Sequence, residues 1–402
     1  MTAAPLSIPG FVVPPDHGPP RWSPQDRAWQ VTRFADVQAL LREPAVRVNE
    51  VQDRIGRIAK GSGSDLSSLS TLVGGILLFR NPPFHTRGRQ FIQRALIELR
   101  PALSEQALRP LIRGVLLDAA AAGKVEAMAA ICNNLPFTVV GSSLGVSQAT
   151  LDAMRRSGSN IADACLPGLL PRDLSRIELE AREVLASLSD DVARAAANRG
   201  ANRAAGIARL LDLNAAEFGF SQDEVTALIF FILLAGAETT TAFLGTSLYL
   251  LLAQPGLCRD LRADPDRIPA ALEECLRIAT PLRWLSPRRV PAGTRIGGIE
   301  FSDSEPLVGL IEIAHHDPAA YPDPGRFDIN RRGPPHLAFA LGGRSCLGAG
   351  LSRLQGRLLI ETVLQDTEAE LADSRPQWQE HTTMRRLVEL NLHMKPQRKS
   401  TV

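Results

Sequence analysis

Cysteine is scarce in this 402-residue chain: Cys132, Cys165, Cys258, Cys275 and Cys346 are odd in number and show no CxxC spacing. That pattern argues against a disulfide framework and a cysteine-based zinc site, and it fits a reducing compartment. An excess of one charge is also missing. The 45 Lys and Arg against 43 Asp and Glu leave a net charge of +2, too balanced to imply nucleic acid or an anionic membrane as partner. An apolar N-terminal run is absent too: the first twenty residues carry Pro5, Pro9, Pro14, Pro15, Pro19 and Pro20. They resemble neither a signal peptide nor a membrane anchor, so a soluble, cytoplasmic protein is expected. Internal repeats and low-complexity blocks are lacking, and no linker stands out. Length alone leaves one or two domains open.

What is present is an ordinary globular balance, with 45% hydrophobic and 22% charged residues, enough to bury a large core. Behind the proline-rich, irregular entry segment 1–33, the spacing of Phe34, Val37, Leu40 and Leu41 predicts an amphipathic helix. Residues 49–80, with Gly61, Ser62, Gly63 and Ser64, read as a long, mobile loop. Residues 83–198 read as mostly helix, broken at Pro101, Gly123 and Pro167–Pro171. Gln222 to Ala253 is the most apolar helix. Its run is interrupted by Glu238, Thr239, Thr240 and Thr241, leaving too short a stretch to cross a bilayer and predicting a buried central helix. Residues 285–310 and the last thirty alternate like short strands, with turns at Gly297, Gly298 and Pro376. The class expected is mainly α with small β-sheets.

One stretch stands apart: Phe339-Ala-Leu-Gly342-Gly-Arg344-Ser-Cys346-Leu-Gly348, followed by a helical pattern through Leu351, Leu354 and Leu358. A cysteine at a helix entrance meets backbone N–H groups and the positive end of the helix dipole, which favour thiolate over thiol. Gly342 and Gly348 would let backbone approach a bulky planar ligand. On cysteine and glycine alone, a capping turn around a small packed residue is an equally good reading. With Phe339, Gly342, Arg344, Cys346 and Gly348 all at these spacings, the segment resembles the haem-binding signature of the cytochrome P450 family.

The resemblance extends from about Phe34 to the last strands and implies a single cytochrome P450 domain over 1–402, its long central helix lying over a buried haem b. Cys346 would be the iron ligand. Ala235-Gly236-Ala237-Glu238-Thr239-Thr240 is similar to the family's oxygen-activating motif. It implies that Gly236 leaves room for dioxygen, that Thr239 and Glu238 manage protons, and that the helix is locally distorted there. Read without the family, the same residues are a polar wedge in a helix. Glu274-Cys-Leu-Arg277 alone is a commonplace i, i+3 ion pair. It resembles the family's ExxR motif, and with Pro324-Gly-Arg326-Phe327 implies a structural triad of Glu274, Arg277 and Arg326. His85 and Arg89 lie four apart on one helical face, which suits either a solvated basic surface or a shared anion. By resemblance they, Arg288 and Arg344 would hold the haem propionates, with Arg289 a rival for Arg288. Ala340, where the family commonly has glycine, and Phe301-Ser-Asp-Ser-Glu-Pro306 depart from the family pattern.

The reaction so implied inserts one oxygen atom of O2 into a hydrophobic small molecule. The implied pocket walls are Leu77, Leu78, Leu233, Leu234, Ala237, Leu282, Trp284 and Leu285, each of which is also an ordinary core residue. No flavin or ferredoxin module is visible, so electrons would come from a ferredoxin and its NAD(P)H-dependent reductase, docking around Arg353. Two rivals remain: a peroxide-driven peroxygenase, disfavoured by Glu238-Thr239, and a haem-thiolate protein that binds or recruits without turnover.

Overall fold

The computed structural model describes residues 17–166, 169–198, 206–373, 376–379 and 383–397. Residues 1–16 of the proline-rich segment, and Pro167 with Gly168, lie outside the described residues. The fold is mainly helical with small sheets, as expected.

The described residues form two compact units. The first takes those of Met1–Arg47, Arg109–Leu135 and Thr239–Val402. Its sheet begins inside the segment expected to be irregular: Arg21–Ser23 and Ala28–Val31 pair antiparallel, with Trp22 opposite Trp29 and their ring centroids 6.0 Å apart. Ala28 and Val31 are fully buried, so two tryptophans and an inward-facing side order a stretch that its prolines had suggested was loose. Glu305–Gly309 runs parallel to Ala28–Val31, and Arg288–Val290 pairs with it in turn, Arg288 opposite Leu307. The Phe34–Arg42 helix lays Val37, Leu40 and Leu41 against this sheet's core with Leu307, Ile311 and Leu337. Gly297 and Gly298, where a turn was expected, close a two-residue hairpin at φ 61° and 83° between Arg295–Ile296 and Ile299–Glu300.

The second unit takes Val48–Leu108 and Pro136–Glu238. Here the expected loop at 49–80 is helical, as Val51–Ser62 and Ser67–Gly74. Gly63, at φ 67°, ends the first of these helices. The buried Glu178 carboxylate accepts the backbone N–H groups of Ser68 and Leu69 at 3.1 and 2.8 Å, capping the second helix from outside. The Arg54 guanidinium donates to the carbonyls of Ala164 and Leu166, just past the C-terminal end of the Gln148–Asp163 helix. Partners supplied from distant sequence order what local composition made look loose.

The central helix, Gln222–Leu252, is long and apolar enough to span a bilayer, yet 72% of its most apolar stretch is buried, as a core helix requires. Glu238 falls in the second unit and Thr239 in the first.

Candidate active site

Cys346 sits three residues before the Ala349–Asp366 helix, in a loop whose shape is set by backbone bonds. Its N–H donates to the Phe339 carbonyl at 2.8 Å, closing the loop, and Ser345 N–H donates to the Gly342 carbonyl at 3.1 Å. Gly342 has φ 67°, and a Cβ there would come within 2.9 Å of the Leu41 carbonyl oxygen. Its glycine is therefore demanded by the Phe34–Arg42 helix rather than by a planar ligand. Gly348 is different: the nearest atom to a Cβ built on it is Cys346 Sγ, at 3.9 Å. Ala340 holds a left-handed φ of 52°, where the family's glycine would be unstrained.

Among the five cysteines, Cys346 is the exposed one. Burial pushes the Cys165 thiol up to about 12 and raises Cys132 and Cys275 further, and it raises Cys258 as well. Those four are inert thiols, which leaves Cys346, beside a helix N-terminus, as the chemically available one.

Strand alternation puts the two arginines that sequence left open on opposite faces. Arg288 points inward at 5% exposure, while Arg289 donates to the Ser304 carbonyl from the opposite face. Burial and then the charge of Arg344 bring the Arg288 guanidinium down to about 10. Its Nη1 is buried without a hydrogen-bond partner. Two guanidiniums held close together, one with an unsatisfied buried donor, suit an anionic group such as a carboxylate.

Phe339 lies under the Arg353 guanidinium, 4.5 Å from the ring centroid. Arg353 donates twice to Glu273, at 2.7 and 2.8 Å, and His336 lies 3.2 Å from the same carboxylate. Burial pushes the Glu273 carboxyl up, but hydrogen bonds and charge from Arg353 and His336 outweigh it and hold it at about 2. The arginine around which a docking face was expected is thus committed to an ion pair. Its neighbours Arg357 and Arg109 both pair with Glu361.

Behind the loop, Glu274 and Arg277 form a buried two-point pair with both contacts at 2.8 Å. Arg277 also donates to the carbonyls of His315, Pro324 and Arg326. The expected third member of the triad, Arg326, gives only that carbonyl, and its side chain is exposed. Arg331 is the arginine that reaches Glu274, at 3.1 Å, because the loop doubles back and Arg331 also binds the carbonyls of Pro322, Asp323 and Arg326. Sequence reasoning also missed His315. It is fully buried, with Nδ1 3.0 Å from the Arg277 carbonyl and Nε2 accepting the Leu337 N–H at 2.7 Å. One donor and one acceptor fix a neutral ring, which ties the ExxR helix, Ile268–Ile278, to the chain leading into the cysteine loop.

Within the same unit the central helix meets the cysteine helix. Thr240 Oγ1 donates to Ser352 Oγ at 3.4 Å, and one turn later Gly356 lies so close to Phe243 that a Cβ would come within 2.6 Å of its ring. The Thr241 hydroxyl donates to the Cys132 carbonyl. The helix stays α-helical through Ala235–Thr241, so the expected local distortion is not found: Thr240 and Thr241 satisfy their hydroxyls on other elements. Thr239 is half-buried.

In the second unit, Gly236 faces Val140, whose Cγ2 would lie 3.0 Å from an added Cβ. The missing side chain lets two helices approach, which corrects the expectation that it leaves room for dioxygen. On the Thr239 face, four residues earlier, is Ala235, which is exposed and was missed; the helical period counted back from Thr239 would have found it. Glu238 accepts a hydrogen bond from the Ser159 hydroxyl. His85 and Arg89 lie half-buried on one side of the Phe84–Glu98 helix.

The expected pocket walls diverge. Leu233 and Ala237 are fully buried, and Leu234 packs against Gly158. Leu77 is buried against Gly88, whereas Leu78 is 41% exposed. Leu282 makes an isolated bridge to Met384, Trp284 is half-buried, and Leu285 packs on the sheet core.

A helical protein with a cysteine loop, a buried ExxR lock and an acid-alcohol pair on its central helix is, by class, a haem-dependent oxidoreductase. The comparisons agree: the Cytochrome P450 family model matches residues 163–397. Mycinamicin IV hydroxylase/epoxidase of Micromonospora griseorubida is 28% identical, over 91% of this chain and 89% of that protein. Cytochrome P450 107B1 of Saccharopolyspora erythraea is 29% identical, over 84% and 81%. The solved structure of CalO2 superposes with a TM-score of 0.80 at 27% identity, covering 94% of each chain. The chain belongs to the cytochrome P450 family, a family of haem-dependent monooxygenases.

Proposed function

We propose that this protein is a soluble, cytoplasmic, single-domain monooxygenase that inserts one oxygen atom of O2 into a hydrophobic small molecule. Haem b is the cofactor, with Cys346 as its thiolate ligand. His85, Arg89, Arg288 and Arg344 would hold its propionates, and Phe339 and Gly348 would border it. When bound, the haem supplies an iron that activates O2, made electron-rich by the thiolate. The protein's own part is to orient substrate, exclude water and time proton arrival. Thr239 holds a hydroxyl on the open face of the central helix, and Glu238 brings protons to it. Ala235, Leu77, Leu78, Leu234, Leu282, Trp284 and Leu285 would contribute apolar wall; Leu233 and Ala237 would back it. Electrons would come from a ferredoxin and its NAD(P)H-dependent reductase.

The observation that carries this reading is the Cys346 loop, which presents the one exposed thiol of five at a helix N-terminus. The relative named for hydroxylating or epoxidising mycinamicin IV supports an organic small molecule as substrate. The intact Glu238-Thr239 pair favours O2 over peroxide as oxidant. The test begins with a compound library, scored by the optical shift that accompanies displacement of water from haem iron. A binder is then incubated with isotope-labelled O2, NADPH, ferredoxin and reductase. One labelled oxygen per product molecule is expected. Product that forms only with added hydrogen peroxide would overturn the reading.

A further inference from the structure

Four residues apart, Leu234 and Glu238 share one face of the central helix, and both reach the Gln148–Asp163 helix. Leu234 Cδ1 lies 3.5 Å from the place a Cβ on Gly158 would take. One residue further along the same Gln148–Asp163 helix, the Ser159 hydroxyl donates to Glu238 Oε1. Thr239 projects about 100° further round, on the Ala235 face. The Glu238 carboxylate is thus held toward Ser159, on a different side of the helix from the hydroxyl it serves. Ser159 is exposed and Glu238 half-buried, so this bond stands where solvent meets the helix. Ser157 and Gly158, the two residues before it, are buried, which fixes where the hydroxyl can stand.

We infer that Ser159 is a positioning residue for proton delivery, holding the Glu238 carboxylate at the solvent end of the route to Thr239. This rests on the reading of Glu238 as a proton carrier. The chemistry suits the task. A hydroxyl donates one hydrogen bond to the carboxylate and can accept another from water. Glu238 can then give up a proton inward and regain one from water at Ser159.

The holoenzyme carries the test, with no substrate needed. The infrared difference between wild type and Glu238→Gln isolates the Glu238 carboxylate stretch. Oxygen consumption, driven by NADPH through a plant-type ferredoxin and its reductase, is measured in H2O and in D2O. In Ser159→Ala the stretch should shift, oxygen consumption should fall by roughly threefold or more, and the solvent isotope effect should rise. Ser159→Thr, which keeps the hydroxyl, should behave as wild type. In the Glu238→Gln background, Ser159→Ala should have no further effect. An unshifted stretch with wild-type consumption overturns the inference. So does an equal loss in both backgrounds, which would make Ser159 a packing residue. If Glu238→Gln itself leaves rate and isotope effect unchanged, the proton-carrier reading fails and this inference with it.

Discussion

At the scale of the residue, the site depends on where each side chain faces, and two positions make that measurable. Ala340 holds φ 52° within the cysteine loop, a conformation that costs an L-residue about 1–2 kcal/mol and glycine almost nothing. Ala340→Gly should therefore stabilise the protein by about 1 kcal/mol, after the added freedom of the unfolded chain is subtracted. Urea unfolding of the two proteins checks this, and a destabilised variant would contradict it. Arg331 and Arg326 make a sharper pair. Arg331→Ala removes one charged hydrogen bond from the buried Glu274 carboxylate, which keeps its Arg277 pair, and should cost about 1.5–3 kcal/mol. Arg326→Ala removes an exposed side chain and should stay within about 0.5 kcal/mol. The same unfolding measurement separates them, and equal losses would put the triad back on Arg326.

At the scale of the element, the buried His315 joins the ExxR helix to the chain leading into the cysteine loop, and the neutrality of His315 and its buried neighbour His316 sets a pH limit. Burial, followed by the charges of His336, His316 and Arg277, holds His315 well below the ordinary 6.5; burial brings His316 down to about 4. A folded-state value below the unfolded one means that the unfolded chain takes up the proton first. The stability contributed by the neutral rings is complete above about pH 6.5 and is lost as pH falls. Each ring approaches about 1.4 kcal/mol per pH unit below that point. Urea midpoints should therefore drop between pH 7.5 and pH 5, and the drop should be smaller in His315→Gln. A flat profile from 7.5 to 5 would contradict the assignment of neutral, bonded rings.

At the scale of the whole molecule, what was legible in the sequence was what is local. The cysteine loop, the ExxR pair and the acid-alcohol pair each span a few residues, so their spacing survives any tertiary arrangement. The central helix could be read from an apolar run interrupted at Glu238, and Arg288 joined Arg289 as candidates because strand alternation had no register to refer to. What could not be read depends on distant neighbours. Gly236 looked like space for a ligand until Val140 was found against it. The serine-rich 49–80 stretch looked loose because its partners, the Glu178 cap and the Ala164 and Leu166 carbonyls that hold Arg54, lie more than a hundred residues away. Arg331 was hidden by a loop that folds back on itself, and Ser159 by a helix with no motif at all. The expected walls were chosen for being apolar, a criterion that cannot tell Leu233, fully buried, from exposed Ala235.

The central claim is that Cys346 is the ligand to haem iron. Its most direct test is the absorption spectrum of the reduced, CO-bound protein. Wild type and Cys165→Ala should both show the strongly red-shifted Soret band that a thiolate ligand produces, and Cys346→Ala should lose it. A red-shifted band that persists in Cys346→Ala would contradict the account.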